Sequence, residues 1–278
     1  MRRLMRAYVS RLWKNGPFRL GAAGMALISI LNVVQLAFEV RKYADMNGFI
    51  DEAVFGFAPL MGLFIGAVVS MFLSVEFSDG GLRNKLIVGH RRGSAYLASL
   101  LGSALAAALM VAVTLLAGVA LGLALLDGFE LPVAGLAALM LNCVFSAVAL
   151  SAIFTAIAMN VPNRAASVIL CVTVAILLLW VASYAGGVLD EPEMMENYLI
   201  INADGVPEKM ENLPNPRYVQ GTVRKVYEFI YDLLPTGQGL QIANCEGDRI
   251  ARWPLLSALV ALLGGVAGYI PFRRRDIR

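Results

Sequence analysis

The sequence predicts an all-α integral membrane protein with six transmembrane helices. Three observations lead to this fold class: 59% of the 278 residues are hydrophobic, only 15% are charged, and six apolar runs are long enough to cross a bilayer. A hydrocarbon core about 30 Å thick requires roughly 17 to 25 apolar residues in helical form. The runs cover residues 20–38, 54–75, 96–126, 133–159, 165–189 and 254–272, and none contains an Asp, Glu, Lys, Arg or His.

Residues 1–18 are predicted to form an amphipathic helix that lies in the membrane interface. Met5, Tyr8 and Leu12 recur at helical spacing and give it an apolar face. The headgroup-facing side carries Arg2, Arg3, Arg6, Arg11 and Lys14. Gly16 and Pro17 are expected to break this helix before the first span. The alternative is a simple basic anchor for that span.

Residues 19–189 are predicted to contain spans 1 to 5, joined by short connections. The third run has 31 residues, and it would measure about 46 Å at 1.5 Å per residue, so we expect it to extend beyond the bilayer at its Tyr96 end. Turns at 127–132 and 160–164 place spans 3 to 5 in one compact bundle. The loop 39–53 is acidic and is expected to be solvated rather than to form a site.

Residues 190–252 are polar and too numerous for a plain connector, so this segment is predicted to be partly structured. Ile200 and Ile201, followed by Asp204 and Gly205, indicate a short strand and a turn.

A helix is predicted in the second part of this segment. Asn215 would cap it and Pro216 would occupy its first position. An apolar stripe, together with Tyr227, Phe229 and Tyr231, is expected to pack on the outer ends of the spans. The stripe consists of Val219, Val223, Val226 and Ile230. The helix should end before Pro235. Gly237 and Gly239 would then turn the chain back toward the membrane, where residues 253–278 supply the sixth span and a basic tail.

The distribution of charge predicts the orientation. If the amino terminus is cytoplasmic, the cytoplasmic segments contain 15 basic and 3 acidic residues, a formal charge of +12, and the outer segments contain 8 basic and 17 acidic residues, a formal charge of −9. Because cytoplasmic loops are enriched in Lys and Arg, we expect a multi-pass protein of the cell (plasma) membrane with both termini cytoplasmic. The positive charge lies beside the spans, so the lipid bilayer is the expected partner and nucleic acid is not.

No metal site is expected in this chain. Cys143, Cys171 and Cys245 lack the spacing of metal ligands or of a disulfide framework, and the first two are interpreted as packing residues within spans. His90 is the only histidine and stands beside arginines, whereas a metal ion needs several ligands.

Residues 76–95, EFSDGGLRNKLIVGHRRGSA, form a charged island between the second and third runs. Gly80 and Gly81 allow a sharp turn, and the apolar face of a surface helix is predicted from Leu82, Leu86 and Ile87. A loop that merely fixes orientation is the simpler interpretation. The acidic residues Glu76 and Asp79 argue against it, because acids are unusual on the basic side of this chain.

The island resembles the segment that follows the second span in permease subunits of type-2 ATP-binding-cassette (ABC) exporters. The residues that carry the resemblance are Glu76, Gly80, Arg83, Asn84, Gly89 and Arg92. Residues 215–238, NPRYVQGTVRKVYEFIYDLLPTGQ, and the ending FRRRDIR at 272–278 resemble segments of bacterial members of the same family. Together with the six predicted spans, the resemblance covers essentially the whole chain.

The resemblance implies that the chain is one of two permease subunits, in a homodimer or a heterodimer, that work with two cytoplasmic ABC ATPase subunits. The island would hold the coupling helix that docks on the ATPase. Its implied coupling residues are Glu76, Asp79, Gly80, Leu82, Arg83, Asn84, Lys85, Leu86 and Arg92.

The chain has no ATPase motif of its own, since no GxxxxGK[ST] phosphate-binding sequence occurs in it. We therefore expect no enzymatic activity and no cofactor in this chain, with ATP and Mg²⁺ bound by the partner subunit.

Polar residues inside the spans are candidates for the substrate pathway. They are Asn32 and Gln35 in the first span and Asn142 and Ser146 in the fourth. Such residues also stabilise contacts between transmembrane helices, and this is the simpler interpretation of each.

Two other functions are compatible with the sequence. The first is a non-transporting membrane anchor or sensor whose outer segment binds a ligand. The second, an ion-coupled carrier, is disfavoured because the spans are uncharged and no internal repeat is evident.

Overall fold

The computed structural model describes residues 2–43, 47–78, 80–89, 91–195, 199–201, 207–209, 213–246 and 249–274, and it confirms the all-α class. Six helical segments in these ranges are long and apolar enough to cross a membrane, so the chain is a multi-pass membrane protein. Each predicted run agrees with one segment to within four residues at either end.

The chain enters the bundle through helix α1 (Arg2–Lys14) and then forms span 1 as α2 (Gly16–Lys42). Span 2 is α3 (Asp51–Phe55), a 3₁₀ turn (Ala58–Leu60) and α4 (Met61–Ser78). Helix α5 (Gly81–Ile87) leads to span 3, α6 (Arg92–Leu125), and to span 4, α7 (Val133–Asn160). Span 5 is α8 (Arg164–Leu189) and span 6 is α11 (Trp253–Arg274). The end of the bundle that carries α1, α5 and the end of α11 is called the basic end, and the opposite end is called the acidic end.

The predicted amino-terminal helix is present, but the position of its break was wrong. Asn15 separates α1 from α2, and its Oδ1 accepts a hydrogen bond from the backbone N–H of Phe18 at 3.0 Å. Gly16 and Pro17 lie inside the first turn of α2, where the missing N–H of proline has no cost. Tyr8 of α1 is buried and its hydroxyl hydrogen-bonds the Ser99 hydroxyl at 2.7 Å. Helix α1 is therefore fixed to span 3.

Span 3 extends at its Tyr96 end, as predicted, since α6 begins at Arg92. Span 2 is interrupted, which the sequence analysis did not predict. Pro59 lies in the 3₁₀ turn and has no N–H to donate to the preceding helical turn, so α3 and α4 are separate helices.

The segment 190–252 contains strands and two helices in its described parts. Strand β1 (Met194–Met195) pairs with β4 (Leu213–Pro214), and β2 (Leu199–Ile201) pairs with β3 (Pro207–Lys209), both antiparallel. The strand predicted at Ile200 and Ile201 is thereby confirmed. The turn predicted at Asp204 and Gly205 lies outside the described residues.

The predicted helix of this segment exists, but its start was wrong. Helix α9 (Gly221–Leu233) begins after the predicted cap and ends before Pro235, as expected. Asn215 is instead buried in a turn: its Oδ1 accepts from the Arg217 N–H at 2.9 Å, and its Nδ2 donates to the Pro192 carbonyl at 3.0 Å. The amide therefore joins two parts of the outer segment, and α9 begins without its help.

The predicted packing of α9 on the spans is confirmed for Tyr227 and Tyr231 and wrong for Val223, Val226 and Phe229. Val223, Val226 and Phe229 are each at least half exposed. The face that packs on the bundle carries Tyr227, whose ring lies 6.3 Å from that of Tyr184, and the buried Tyr231. The rings of Tyr227 and Tyr231 fill the contact with span 5, which leaves Val223, Val226 and Phe229 outside.

The turn predicted at Gly237 and Gly239 is a buried helix. Helix α10 (Pro235–Ala243) packs against α7, α8, α9 and the 3₁₀ turn of span 2. Gly239 lies against the backbone of the break in span 2: a Cβ added there would be 2.8 Å from the Ala58 carbonyl oxygen. Only glycine allows this close approach of two backbones. The break in span 2 and the glycine of α10 therefore fit each other.

Replacing Gly239 by alanine should destabilise the protein, because neither backbone can move without disrupting its helix. We expect a loss of about 1 to 3 kcal/mol, seen as a fall in Tm of about 2 °C or more for the detergent-purified chain. Gly187→Ala is the matched control, since a Cβ there meets nothing within 4 Å. Its Tm should stay unchanged or rise slightly. Equal Tm values for the two variants would contradict the proposed close fit.

Candidate functional site

The predicted surface helix of the island is present as α5 at the basic end. Glycines with positive φ flank it, Gly80 at 65° and Gly89 at 94°, so the chain turns sharply before and after the helix. Ile87 and Val88 are 72% and 78% exposed, and Arg83 and Asn84 are exposed as well. Helix α5 thus offers polar and apolar groups on the surface.

The structure describes the remaining predicted coupling residues to different extents. The backbone of α5 includes Leu82, Lys85 and Leu86, and that of α4 includes Glu76, but these side chains lie outside the described part of the chain. Asp79 lies outside it entirely. Arg92 is half-buried at the start of α6, and its Nη1 donates to the Arg273 carbonyl at 3.0 Å.

The hydrogen bond from Arg92 to the Arg273 carbonyl belongs to a tightly packed junction of α6, α7 and α11, which we call the basic-end corner. Asn160 at the end of α7 donates from Nδ2 to the Gly268 carbonyl of α11 at 2.9 Å. The ring of Tyr96 lies 5.5 Å from Phe272. A Cβ on Gly268 would be 2.5 Å from the Ala156 Cα, so the close contact of α7 and α11 requires glycine. Helix α5 directly precedes this corner in the chain, since α5 ends at Ile87 and α6 begins at Arg92.

The candidate pathway residues of span 1 lie at the acidic end. Asn32 and Gln35 line a surface pocket of about 550 Å³. The Asn32 amide lies directly over Gly56, and Gln35 donates from Nε2 to Glu39 at 2.9 Å. The pocket is polar and acidic; its other hydrogen-bonding residues include Glu39, Asn47, Asp51, Glu52, Glu130 and Asn244.

Asp51 contradicts the expectation that the loop 39–53 is simply solvated. Its side chain is buried, and its carboxylate accepts from the backbone N–H groups of Glu130 at 2.8 Å and Leu131 at 3.3 Å. Ile50 also donates its N–H to the Gly128 carbonyl at 2.9 Å. A carboxylate that accepts backbone hydrogen bonds replaces the water it loses on burial. The loop before α3 and the loop between α6 and α7 are therefore held together, and they form one wall of the pocket.

The candidate pathway residues of span 4 are buried within the bundle, away from this pocket. Asn142 donates from Nδ2 to the carbonyls of Ala138 at 2.9 Å and Ile250 at 3.4 Å. The Ser146 hydroxyl donates to Gln238 Oε1 at 2.5 Å. Both residues therefore bind other parts of the same chain.

Gln238 is a central residue that the sequence analysis missed. Its Oε1 also accepts from the Ser257 hydroxyl at 2.7 Å, and its Nε2 donates to the Asp232 carbonyl at 2.8 Å. This one amide therefore joins α10 to spans 4 and 6 and to the end of α9. Thr236 adds a bond from its hydroxyl to the Leu178 carbonyl of span 5 at 2.9 Å. Sequence alone places Gln238 in a polar, glycine-rich stretch, which gives no indication of burial.

Within the described ranges, no group of three or more His, Cys, Asp or Glu side chains is arranged to hold a metal ion. Comparison with protein-family models and with curated proteins finds no match to this sequence.

Cys245, beside the acidic pocket, should react slowly with maleimides. Burial, and then the nearby carboxylates Asp51 and Glu52, raise the pKa of its thiol to about 12. The thiolate is the nucleophile, so its population at pH 8 falls roughly a thousandfold relative to an ordinary thiol. Mass spectrometry should find labelling at least about tenfold slower than at Gln220→Cys, an exposed site outside the pocket, and faster at higher pH. Equal rates at pH 8 would show that the thiol is not shielded in this way.

Proposed function

We propose that the chain is the membrane-spanning permease subunit of an ATP-driven exporter of the type-2 ABC class. It works as a dimer with a second copy or a related permease, and a separate cytoplasmic ATPase supplies the energy. Both termini and α5 are cytoplasmic in this proposal. The observation that supports it most is α5 itself: a short helix between spans 2 and 3, exposed at the basic end, at the position where the sequence resembles the coupling segment of that family.

The packing around α5 suggests how force would reach the membrane. A push on α5 would pass along the chain into α6, which begins five residues after α5 ends. Arg92 and Asn160 bind the last turns of α11, so spans 3, 4 and 6 would move together rather than one at a time. Such a rigid-body shift changes which side of the dimer is open.

The four candidate pathway residues have two different roles in this proposal. Asn32 and Gln35 line the acidic-end pocket, where substrate would be released on the outer side. Asn142 and Ser146 bind Ile250 and Gln238, and in this proposal they keep α10 in place.

Charge reversal at Arg83 should uncouple the exporter. The tagged chain is purified from its native membranes, reconstituted with its companion ATPase, and labelled at Gln35→Cys with a membrane-impermeant maleimide with and without ATP. We expect Arg83→Glu or Glu76→Gln to reduce the ATP-dependent change in labelling rate at least about tenfold, because each removes a charged contact to the ATPase. Insertion and yield should be unchanged.

Arg164→Glu is the matched control, because Arg164 is also an exposed arginine at the basic end but lies on span 5. It should leave the ATP response intact. A full ATP response in both Arg83→Glu and Glu76→Gln would refute the docking role of α5. Purification of the chain alone, together with a ligand of the 190–252 segment, would favour the membrane anchor or sensor instead.

A further inference from the structure

A narrow apolar groove of about 310 Å³ runs along the bundle surface between spans 3 and 6, next to the basic-end corner. Its walls include Leu97, Leu262 and Val266, which are 44%, 63% and 50% exposed. Glycines keep the groove open: a Cβ on Gly93 would lie 3.1 Å from the Tyr269 hydroxyl, and one on Gly265 would lie 3.2 Å from the Leu100 side chain. The groove therefore faces the region that lipid tails occupy around the spans.

Three arginines lie within five residues, along the chain, of groove-lining residues at its basic end. Arg91 directly precedes α6, and Arg273 and Arg274 form the last turn of α11, one turn beyond Tyr269. All three side chains are exposed, and among the described residues no carboxylate pairs with any of them. Arg92 is committed to the Arg273 carbonyl and so fixes the two sides of the rim relative to each other.

We propose that this groove binds one anionic phospholipid of the leaflet at the basic end. The phosphate lies among Arg91, Arg273 and Arg274, with the Tyr269 hydroxyl at the level of the lipid headgroup. An acyl chain lies along Leu97 and Val266. Basic pockets between transmembrane helices are suited to anionic headgroups, and aromatic hydroxyls favour the same depth.

A second copy of the chain fits this groove less well than a lipid does. A symmetric contact through the groove would bring the rim arginines of both copies to the same depth and close together. Like charges at that distance repel, whereas a lipid phosphate neutralises them.

The location gives the lipid a role in conformational change. It would connect the start of span 3 to the end of span 6, the same two elements that Arg92 joins. Anionic lipid would therefore stabilise the basic-end corner. Binding itself does not depend on the proposed transport function, so the two can fail separately.

Native mass spectrometry tests this proposal on the full chain. Detergent-purified, delipidated protein is mixed with equal amounts of dioleoyl phosphatidylglycerol and dioleoyl phosphatidylcholine. We expect phosphatidylglycerol to be retained over phosphatidylcholine by about tenfold or more. In the triple variant Arg91→Gln/Arg273→Gln/Arg274→Gln the ratio should fall close to one. The exposed Arg164→Gln control on span 5 should keep the wild-type ratio.

A second variant tests the groove without changing any charge. Val266→Trp fills the groove and should reduce retention of both lipids at least about fivefold, whereas Val113→Trp, at a similarly exposed position of span 3, should not. Three results would overturn the proposal: no preference for phosphatidylglycerol in the wild type, a preference that survives the triple variant, or equal loss in Arg164→Gln. A lipid-free dimer whose contact is disrupted by Val266→Trp would overturn it in favour of a second copy.

Discussion

The hydrogen bonds that Arg92 and Asn160 make to the last turns of α11 hold the basic end together. Each bond joins a side chain of one span to a backbone carbonyl of another, so the helices are held to each other in addition to their packing. They fix the start of span 3 and the end of span 4 to span 6. Gly268 allows the backbones to meet, and Tyr96 packs beside them on Phe272. Both proposals depend on this corner: force from α5 would be distributed through it, and the lipid would bind on its outer surface.

The acidic end is held by a different means. Helix α10 brings a glutamine into an apolar bundle, and burial of an amide is costly unless every polar atom is paired. Gln238 meets this demand through Ser146, Ser257 and the Asp232 carbonyl, from three separate elements. Polar contacts therefore hold the bundle at both ends. The basic end is bound by side chains that reach carbonyls of a neighbouring span. The acidic end is bound by a short helix that packs on spans 2, 4 and 5 and hydrogen-bonds span 6.

The spans were predictable because lipid imposes a simple rule: an uninterrupted apolar run of sufficient length must be a helix. The α5 helix followed from glycines and apolar spacing within a few residues. Helix α10 was not predictable, because PTGQGLQIA is short, polar and rich in glycine, and what makes it a buried helix is a set of partners distant in sequence. Asn215 shows the same limitation. A cap at Asn215 was locally reasonable, but its amide binds the Pro192 carbonyl instead, which no local pattern reveals.

Within the candidate site, the sequence predicts residues that share one helix face more readily than residues that bind partners across the bundle. Asn32 and Gln35, three residues apart, share the acidic-end pocket, as helical spacing suggests. Asn142 and Ser146 look similar in the sequence but serve the internal packing of α10 and the entry to span 6. Asp51 was overlooked for the opposite reason: an acidic loop residue suggests solvent, whereas its carboxylate organises the neighbouring loop.

The central claim, that α5 faces the cytoplasm where a separate motor can reach it, is tested most directly by cysteine accessibility. A single cysteine at Asn84, exposed on α5, is introduced into a chain whose native cysteines are replaced by alanine, and intact cells are treated with a membrane-impermeant maleimide. The account predicts no labelling until the membrane is permeabilised, while Gln220→Cys at the acidic end is labelled in intact cells. Labelling of Asn84→Cys in intact cells would place α5 outside and contradict the account.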